Sequence, residues 1–368
     1  MALPTIPYQH VSTLARLVAR LTEFVIYSRR RDESYGKEER PGSRVTLSLA
    51  VLQTYAANGL PMDSPRLRGI DEWLRSRSAE SPGILLPPLR LLASATLRRQ
   101  EDAIEDEISG TLATLRTAHR NGSVTKPILL MMSLEGLATT SSTSAECKEF
   151  KSALQSLPTI LNSGTARPSV RAYAASLMFE YGGPAMESEA ISGLEKIAEL
   201  RRDGGWEDCL VETAYVILNM HAVNNRSAAV ESAVKEGLEF LRRHCPKGIP
   251  DLQKIRRYPD ELSRPEDLRT YAAAVVARAL LGGMGSPVHA RLEYAHAAWQ
   301  LQTEKLEKKL RVLRWAVAGL TSIQAGLFAW LVFINQGLIE RSISIAGSAA
   351  SILPLAILAA RKLQKWNE

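Results

Sequence analysis

The sequence contains few cysteines and few aromatic residues. Its three cysteines, Cys147, Cys209 and Cys245, are scattered, and they form neither a CxxC pair nor the spacing of a zinc-binding motif. This pattern provides no disulfide framework and suits a reducing compartment. Aromatic residues make up only 6% of the chain, whereas alanine and leucine are abundant. The composition therefore favours helices over sheets.

Several motifs that would identify a chemistry are also missing. The sequence has no P-loop, no GxSxG, no HExxH and no GxGxxG after a predicted strand. It also lacks a zinc finger, an RRM signature and interleaved aromatic and basic residues, so the net charge of +7 does not indicate nucleic acid as a partner. Basic residues instead flank apolar C-terminal segments, which favours an anionic membrane surface.

Helical segments with charged faces alternate with segments rich in small apolar residues along residues 1–285. Five apolar residues at matching places in the segments with charged faces are separated by steps of 41, 42, 40 and 44 residues; they are Leu74, Leu115, Leu157, Ile197 and Leu241. A period of about 40 residues is typical of stacked two-helix units. Inner helices rich in small apolar residues are predicted between them, at 46–57, 86–98, 127–139, 169–181, 210–222 and 266–281.

These segments predict an all-α domain over residues 1–285. A helix predicted at 8–30 supplies a first outer member, so six inner helices pair with six outer ones. Six such helical hairpins can close into an α/α toroid, which is the architecture that we expect. An open HEAT-like solenoid has the same period and is the alternative.

One repeat carries a resemblance to a known family. The run Arg-Asp-Gly-Gly-Trp-Glu at 202–207, followed by Glu-Thr-Ala at 212–214 and by residues 234–241, resembles the prenyltransferase and squalene-cyclase repeat. The resemblance implies the α/α toroid of terpenoid cyclases and protein prenyltransferases. It does not extend to their catalytic motifs, because the chain has no DxDD motif.

The candidate metal sites do not match the family patterns. The acidic run at 101–107 looks like the Mg²⁺-binding DDxxD motif of prenyl enzymes, but its partner motif is missing, and acidic residues also stabilise the start of a helix. Asp208, Cys209 and His221 have the wrong spacing for the zinc site of protein prenyltransferases. We therefore predict no bound metal and no cofactor.

A ligand or partner surface is expected around the clearest repeat and the basic loop that follows it. Its candidate residues are Trp206, Glu207, Asp208, Glu212, Tyr215, Arg256 and Arg257. For Trp206 we expect packing between neighbouring repeats. An aromatic-lined funnel for an isoprenoid is the alternative.

The C-terminal part of the chain has a different character. A connecting helix is predicted at 286–314, with large apolar residues at heptad spacing in Leu292, Trp299, Leu306 and Leu313. Residues 315–334 and 342–360 contain no charge, and each segment is long enough to cross a hydrocarbon core of roughly 30 Å. They predict a transmembrane hairpin, with a helical hairpin buried in a soluble domain as the alternative.

The charges around this hairpin predict its orientation. Five basic residues precede the first span from Lys305 onward, and three follow the second in the tail 361–368, whereas the turn carries one. By the positive-inside rule both termini face the cytosol at the inner membrane. The small residues of the second span favour close helix packing, including homo-oligomerisation through the hairpin.

The sequence thus predicts a membrane-anchored cytosolic helical-repeat module without catalytic activity. Its function would be protein interaction or ligand sensing, with another protein or a lipid-like ligand as the partner. Two alternatives stay open: a membrane-associated enzyme acting on isoprenoid diphosphates, and a pore-forming effector in which the helical domain senses a signal.

Overall fold

The chain is all-α, as the sequence predicts. The computed structural model describes residues 12–30, 34–35, 41–60, 64–76, 86–97, 104–120, 123–124, 126–140, 148–255, 262 and 264–334. Its α-helices are α1 (Thr13–Ile26), α2 (Pro41–Ala57), α3 (Pro65–Ser76), α4 (Leu86–Thr96), α5 (Glu105–Ala118), α6 (Pro127–Thr140), α7 (Lys148–Leu154), α8 (Leu157–Leu161), α9 (Pro168–Tyr181), α10 (Gly183–Glu199), α11 (Leu210–Ala222), α12 (Ala228–Arg243), α13 (Pro265–Gly282) and α14 (Pro287–Ile334).

Short elements connect some of these helices. Two-residue strands, β1 (His119–Arg120) and β2 (Ser123–Val124), form an antiparallel pair after α5. Single 3-10 turns lie at Pro246–Gly248 and Leu252–Lys254. The chain divides into two compact units, residues 1–302 and 303–368, which are described separately below.

The inner helices of the first unit pack on one another in cyclic order. Helix α2 contacts α4, α4 contacts α6, α6 contacts α9, α9 contacts α11, α11 contacts α13, and α13 contacts α2. Small side chains allow this close approach, and α13 buries every residue from Tyr271 to Ala277. Where α13 meets α2, the Thr54 hydroxyl donates to the Ala274 carbonyl at 3.0 Å.

The helices with charged faces pack against these inner ones. Helix α1 lies on α13, α3 on α2 and α4, α5 on α4 and α6, α8 and α10 on α9, and α12 on α11 and α13. The five apolar residues that define the sequence period are all buried, in α3, α5, α8, α10 and α12. Each of these helices therefore uses the marked position to attach its apolar face to the core.

Two helices differ from the sequence prediction. The outer helix expected around Leu154 and Leu157 is broken into α7 and α8, because a turn intervenes and Pro158 stands in the first turn of α8, where it has no amide to donate. The connecting helix does not end at 314 but continues without interruption to Ile334. No proline lies inside residues 288–334, and alanine and leucine are frequent there, so no local signal stops the helix.

The first part of α14 belongs to the first unit and packs on α1. The Ser12 hydroxyl donates to Glu293 at 2.6 Å, and Ala15, Ala19 and Ala297 form a small apolar cluster. Ser12 also caps α1 by accepting a hydrogen bond from the Ala15 amide at 3.2 Å. These contacts fix the start of α1. In the described residues the helix covers Thr13–Ile26, whereas the sequence predicts a helix at 8–30.

In the second unit, the helix from residue 303 exposes large apolar side chains. Trp315, Leu320, Ile323, Leu327 and Trp330 are each more than half exposed. Among the residues that the structure describes, no helix has the length and apolar character needed to span a bilayer. The predicted second span at 342–360 and the tail at 361–368 lie outside the described residues.

Candidate functional site

The Gly-Gly-Trp loop of the clearest repeat is built into the core. Arg202 and Gly205 form an isolated bridge, and Gly204 adopts a φ of +86°, which favours glycine. Trp206 is fully buried, and its indole N–H donates to the Ile197 carbonyl at 2.7 Å. Its backbone amide donates to the Thr213 hydroxyl at 3.0 Å. Trp206 therefore holds the loop, α10 and α11 together.

The residues after Trp206 have separate positions. Glu207 and Asp208 are exposed, and both have φ angles of +53°, in the left-handed region. Asp208 accepts two hydrogen bonds from the Lys254 ammonium, at 2.7 and 2.8 Å. This ion pair ties the loop to the 3-10 turn at 252–254. The other two basic candidates, Arg256 and Arg257, lie outside the described residues.

Glu212 is buried and caps a neighbouring helix. Its carboxylate accepts hydrogen bonds from the Ser169 amide at 2.6 Å and the Ser169 hydroxyl at 2.8 Å, at the start of α9. Burial raises the pKa of Glu212, although both hydrogen bonds from Ser169 act to lower it. The side chain thus satisfies an otherwise open helix terminus and faces no solvent.

The three residues considered for zinc are not assembled into a site. Within the described residues, no group of three or more His, Cys, Asp or Glu side chains could hold a metal ion. Cys209 is buried. The His221 imidazole shares a 2.9 Å hydrogen bond with the Arg226 guanidinium, and burial together with that charge lowers its pKa to about 4.

The acidic run at the start of α5 is split by the structure. Residues 101–103 lie outside the described residues, Glu105 and Asp106 are exposed, and Glu107 pairs with Arg90 at 2.9 Å. The Glu107 carboxylate is thereby used in a contact between α5 and α4.

A polar cluster lies instead on the inner helices. The Tyr173 hydroxyl of α9 donates to the Glu135 carboxylate of α6. The Tyr215 and Tyr271 hydroxyls, on α11 and α13, are hydrogen-bonded to each other at 2.5 Å. These contacts join α6 to α9 and α11 to α13 through polar side chains.

An arginine completes this cluster on the last inner helix. The Arg278 guanidinium of α13 donates to the Gln53 amide oxygen of α2 at 2.6 Å. We define the inner polar cluster as Gln53, Glu135, Tyr173, Tyr215, Tyr271 and Arg278. Its members come from α2, α6, α9, α11 and α13.

The charged and phenolic groups of the cluster affect one another's pKa values. Desolvation raises the pKa of Glu135, whereas the Tyr173 hydrogen bond and the Arg278 charge act to lower it. Desolvation also raises the pKa of Tyr215; the Tyr271 hydrogen bond and the Arg278 charge act to lower that pKa, and the Glu135 charge acts to raise it. Glu135, Tyr215 and Arg278 are therefore electrostatically coupled.

The side chains of the cluster keep some access to solvent. Glu135, Tyr173, Tyr215 and Arg278 are half-buried rather than buried, although desolvation dominates the pKa of the carboxyl and of both phenols. These four side chains are partly covered by protein and can still be reached from solvent. Together they present a carboxyl group, phenols and a guanidinium, which is a set suited to hydrogen bonding with a polar ligand.

Of the predicted site residues, only Tyr215 belongs to this cluster. The others were not found because their partners lie one repeat or more away along the chain. A signal was nevertheless present: Glu135 is the only charged residue in α6, and Arg278 is the only one after Arg269 in α13. Tyr173 and Tyr215 are 42 residues apart, which is one repeat step.

Comparison of the chain with protein-family models, with curated proteins and with solved structures gives no match. The resemblance to the prenyltransferase and squalene-cyclase repeat therefore stays a prediction from the sequence.

Proposed function

We propose that the chain is a membrane-attached helical-repeat module that senses a ligand or holds a partner protein, and that it is not an enzyme. The observation that carries the membrane attachment is the apolar surface of the helix after residue 303. The side chains from 311 to 327 are exposed on every side of that helix, and Trp315, Leu320, Ile323, Leu327 and Trp330 form a broad apolar face on it. Leaving so much apolar surface in water is unfavourable, and a membrane would cover all of these sides at once.

The orientation of the module follows from the charges next to this surface. The exposed helical stretch immediately before Trp315 carries Lys308, Lys309, Arg311 and Arg314. Basic residues beside an apolar segment stay on the cytosolic side and are attracted by anionic lipids. The uncharged segment 342–360 enters the proposal through its sequence alone, as the second half of a hairpin.

For the first unit we propose a closed α/α toroid of six inner and six outer helices, with α7 and α8 together forming one outer member. The cyclic packing order of the inner helices supports this architecture, because α13 contacts α2. In an open HEAT-like solenoid the first and last repeats would have no contact. The inner polar cluster supports ligand sensing, since the five helices that supply it would meet at the centre of such a ring.

Membrane attachment can be tested by introducing charge into the exposed apolar helix. In the full chain, the double variant Leu320→Glu and Leu327→Glu is expected to move the protein from the membrane fraction into the supernatant after ultracentrifugation. The wild-type protein should resist carbonate washing. Both replaced side chains are more than half exposed, so the first unit should stay folded.

The matched control places the same charges earlier in the same helix. Val288 and Leu292 are also more than half exposed but belong to the first unit. The double variant Val288→Glu and Leu292→Glu should remain in the membrane fraction. If wild-type protein is released by carbonate, or if both double variants behave alike, the helix after 303 is not the membrane anchor.

A further inference from the structure

We propose that the inner polar cluster binds a small anionic ligand that also carries a hydrogen-bond donor, with Arg278 holding the anionic group and Glu135 accepting from the donor. This inference rests on the ligand-sensing function proposed above and names the class of ligand. The ligand is identified by its chemistry: a carboxylate or phosphate group with an ammonium or hydroxyl group nearby.

Arg278 carries a charge that no neighbouring carboxylate in the described residues neutralises. Its guanidinium is half-buried and donates to the neutral amide oxygen of Gln53 at 2.6 Å. Within the described part of the chain, no carboxylate lies within 4.0 Å of it. A guanidinium removed from bulk water is stabilised by an anion that accepts two parallel hydrogen bonds. The Gln53 contact fixes the side chain while leaving its positive charge uncompensated at short range.

Glu135 has a carboxylate oxygen to offer a ligand. One of its oxygens accepts from Tyr173, and in the described residues the other has no hydrogen-bond donor. The side chain is half-buried, so a molecule from solvent can reach the second oxygen. A desolvated carboxyl group gains most from a partner that donates a hydrogen bond or carries a positive charge.

Arg278 and Glu135 are not paired with each other. The Arg278 charge acts to lower the pKa of Glu135, but no salt bridge joins the guanidinium and the carboxylate. On α13, Arg278 lies seven residues after Tyr271, about two helical turns, so both residues are on the same face of the helix. The Tyr271 hydroxyl is hydrogen-bonded to that of Tyr215 on α11 at 2.5 Å. A ligand between the two charges would satisfy both.

The polarity of the inner polar cluster distinguishes its ligand from an isoprenoid chain. A hydrocarbon placed against Glu135 and Arg278 would remove both groups from water without replacing their hydrogen bonds, which is unfavourable. A molecule with an anion at one end and a donor near it has the matching arrangement. Amino acids and phosphate esters of polyols both belong to this class.

The test uses the purified full chain in detergent and isothermal titration calorimetry. The probes are L-glutamate, glycerol 3-phosphate, inorganic phosphate and, as a neutral control, glycerol. Saturable binding of at least one of the two donor-bearing anions, without binding of glycerol, is expected. L-Glutamate and glycerol 3-phosphate distinguish a carboxylate ligand from a phosphate ligand. If none of the anionic probes binds, the proposal is wrong.

Two substitutions separate the roles of the charged groups. Arg278→Gln is expected to weaken binding by about tenfold or more, because a charge-assisted hydrogen bond to the anion is lost. Arg278→Lys keeps the charge and should retain part of the affinity, and it provides a folded variant if Arg278→Gln is unstable. Glu135→Gln should weaken the binding of L-glutamate, whose ammonium loses its acceptor, while inorganic phosphate binds as well as before or better.

The matched control is Arg242→Gln. Arg242 is exposed on the outer helix α12, where it pairs with Glu239 at 2.6 Å. Binding that is equally weakened by Arg242→Gln, or unchanged in Arg278→Gln, contradicts the assignment. The probe recovered after titration is examined by NMR. An unchanged probe agrees with a binding module, whereas a converted probe whose binding needs Arg278 would support the site and refute the non-catalytic function.

Discussion

Replacing Trp206 tests whether the Gly-Gly-Trp loop at 204–206 has a structural role in this chain. The indole is fully buried, and its N–H donates to the Ile197 carbonyl at 2.7 Å. The ring fits against Gly237, where an added Cβ would lie 3.0 Å from the indole. Trp206→Ala removes this ring and leaves a cavity, so we expect a loss of about 3–5 kcal/mol of unfolding free energy.

Trp206→Phe refines this prediction. It keeps part of the ring volume but removes the N–H donor, whose hydrogen bond contributes about 1 kcal/mol. The Ile197 carbonyl still accepts from the Leu200 amide at 3.1 Å, so it is not left unsatisfied. The Phe variant should therefore be destabilised clearly less than the Ala variant, with a loss of about 2 kcal/mol.

The assay is urea unfolding of the purified full chain, followed by far-UV circular dichroism. Trp299, which is 58% exposed, provides the control, and Trp299→Ala should cost less than about 1 kcal/mol. A Trp206→Ala protein as stable as the wild type would refute the claim that the buried indole stabilises the fold. Equal effects of the Ala and Phe variants would instead show that the hydrogen bond, and not the ring volume, matters.

Three further predictions follow from buried charges and from the membrane topology. The pKa of His221 is about 4 in the folded protein, compared with an ordinary value of 6.5. The unfolded chain therefore binds a proton more readily, and the free energy of unfolding falls as the pH is lowered from 6.5 toward 4. The total decrease from this one group is about 3 kcal/mol. Urea midpoints of His221→Gln should therefore vary less with pH than those of the wild type, whereas His289→Gln should follow the wild type. Glu212→Ala should cost about 1–3 kcal/mol in urea unfolding, since it leaves a buried amide at the start of α9 unsatisfied, and Glu212→Gln should recover most of that loss; equal losses would refute the capping role. In a cysteine-free background, a cysteine at Gly337 should react with a membrane-impermeant thiol reagent in intact cells, and one at Asn367 only after lysis; the opposite pattern would invert the topology.

The inner helices were predictable because burial on most sides favours small and apolar residues. The segments expected at 127–139 and 210–222 coincide with α6 and α11 to within one residue. Their lengths and the small residues in them follow from close packing, which acts on each segment locally. The same local patterns predicted the all-α class, which the structure confirms.

The inner polar cluster was not predictable from such local patterns. The Arg278 and Gln53 side chains that meet at 2.6 Å are 225 residues apart in sequence. Glu212 likewise appeared to be a ligand candidate, since the sequence does not show that the start of α9 covers it. Residue type and spacing indicate which positions face inward, but only the packing of helices decides which polar groups become neighbours.

The contact between α13 and the first helices has a consequence for how the protein is made. Helix α13 packs on both α1 and α2, and the hydroxyls of Ser28 and Thr270 meet at 2.6 Å across 242 residues of chain. During synthesis, the apolar surfaces of α1 and α2 that pack on α13 have no native partner until residue 282 has left the ribosome. A chain that stops before α13 would expose those faces throughout, whereas an open array could complete its early repeats as they emerge. We therefore expect early termination products to depend on chaperones and to be degraded, even though most of the helices they contain are complete.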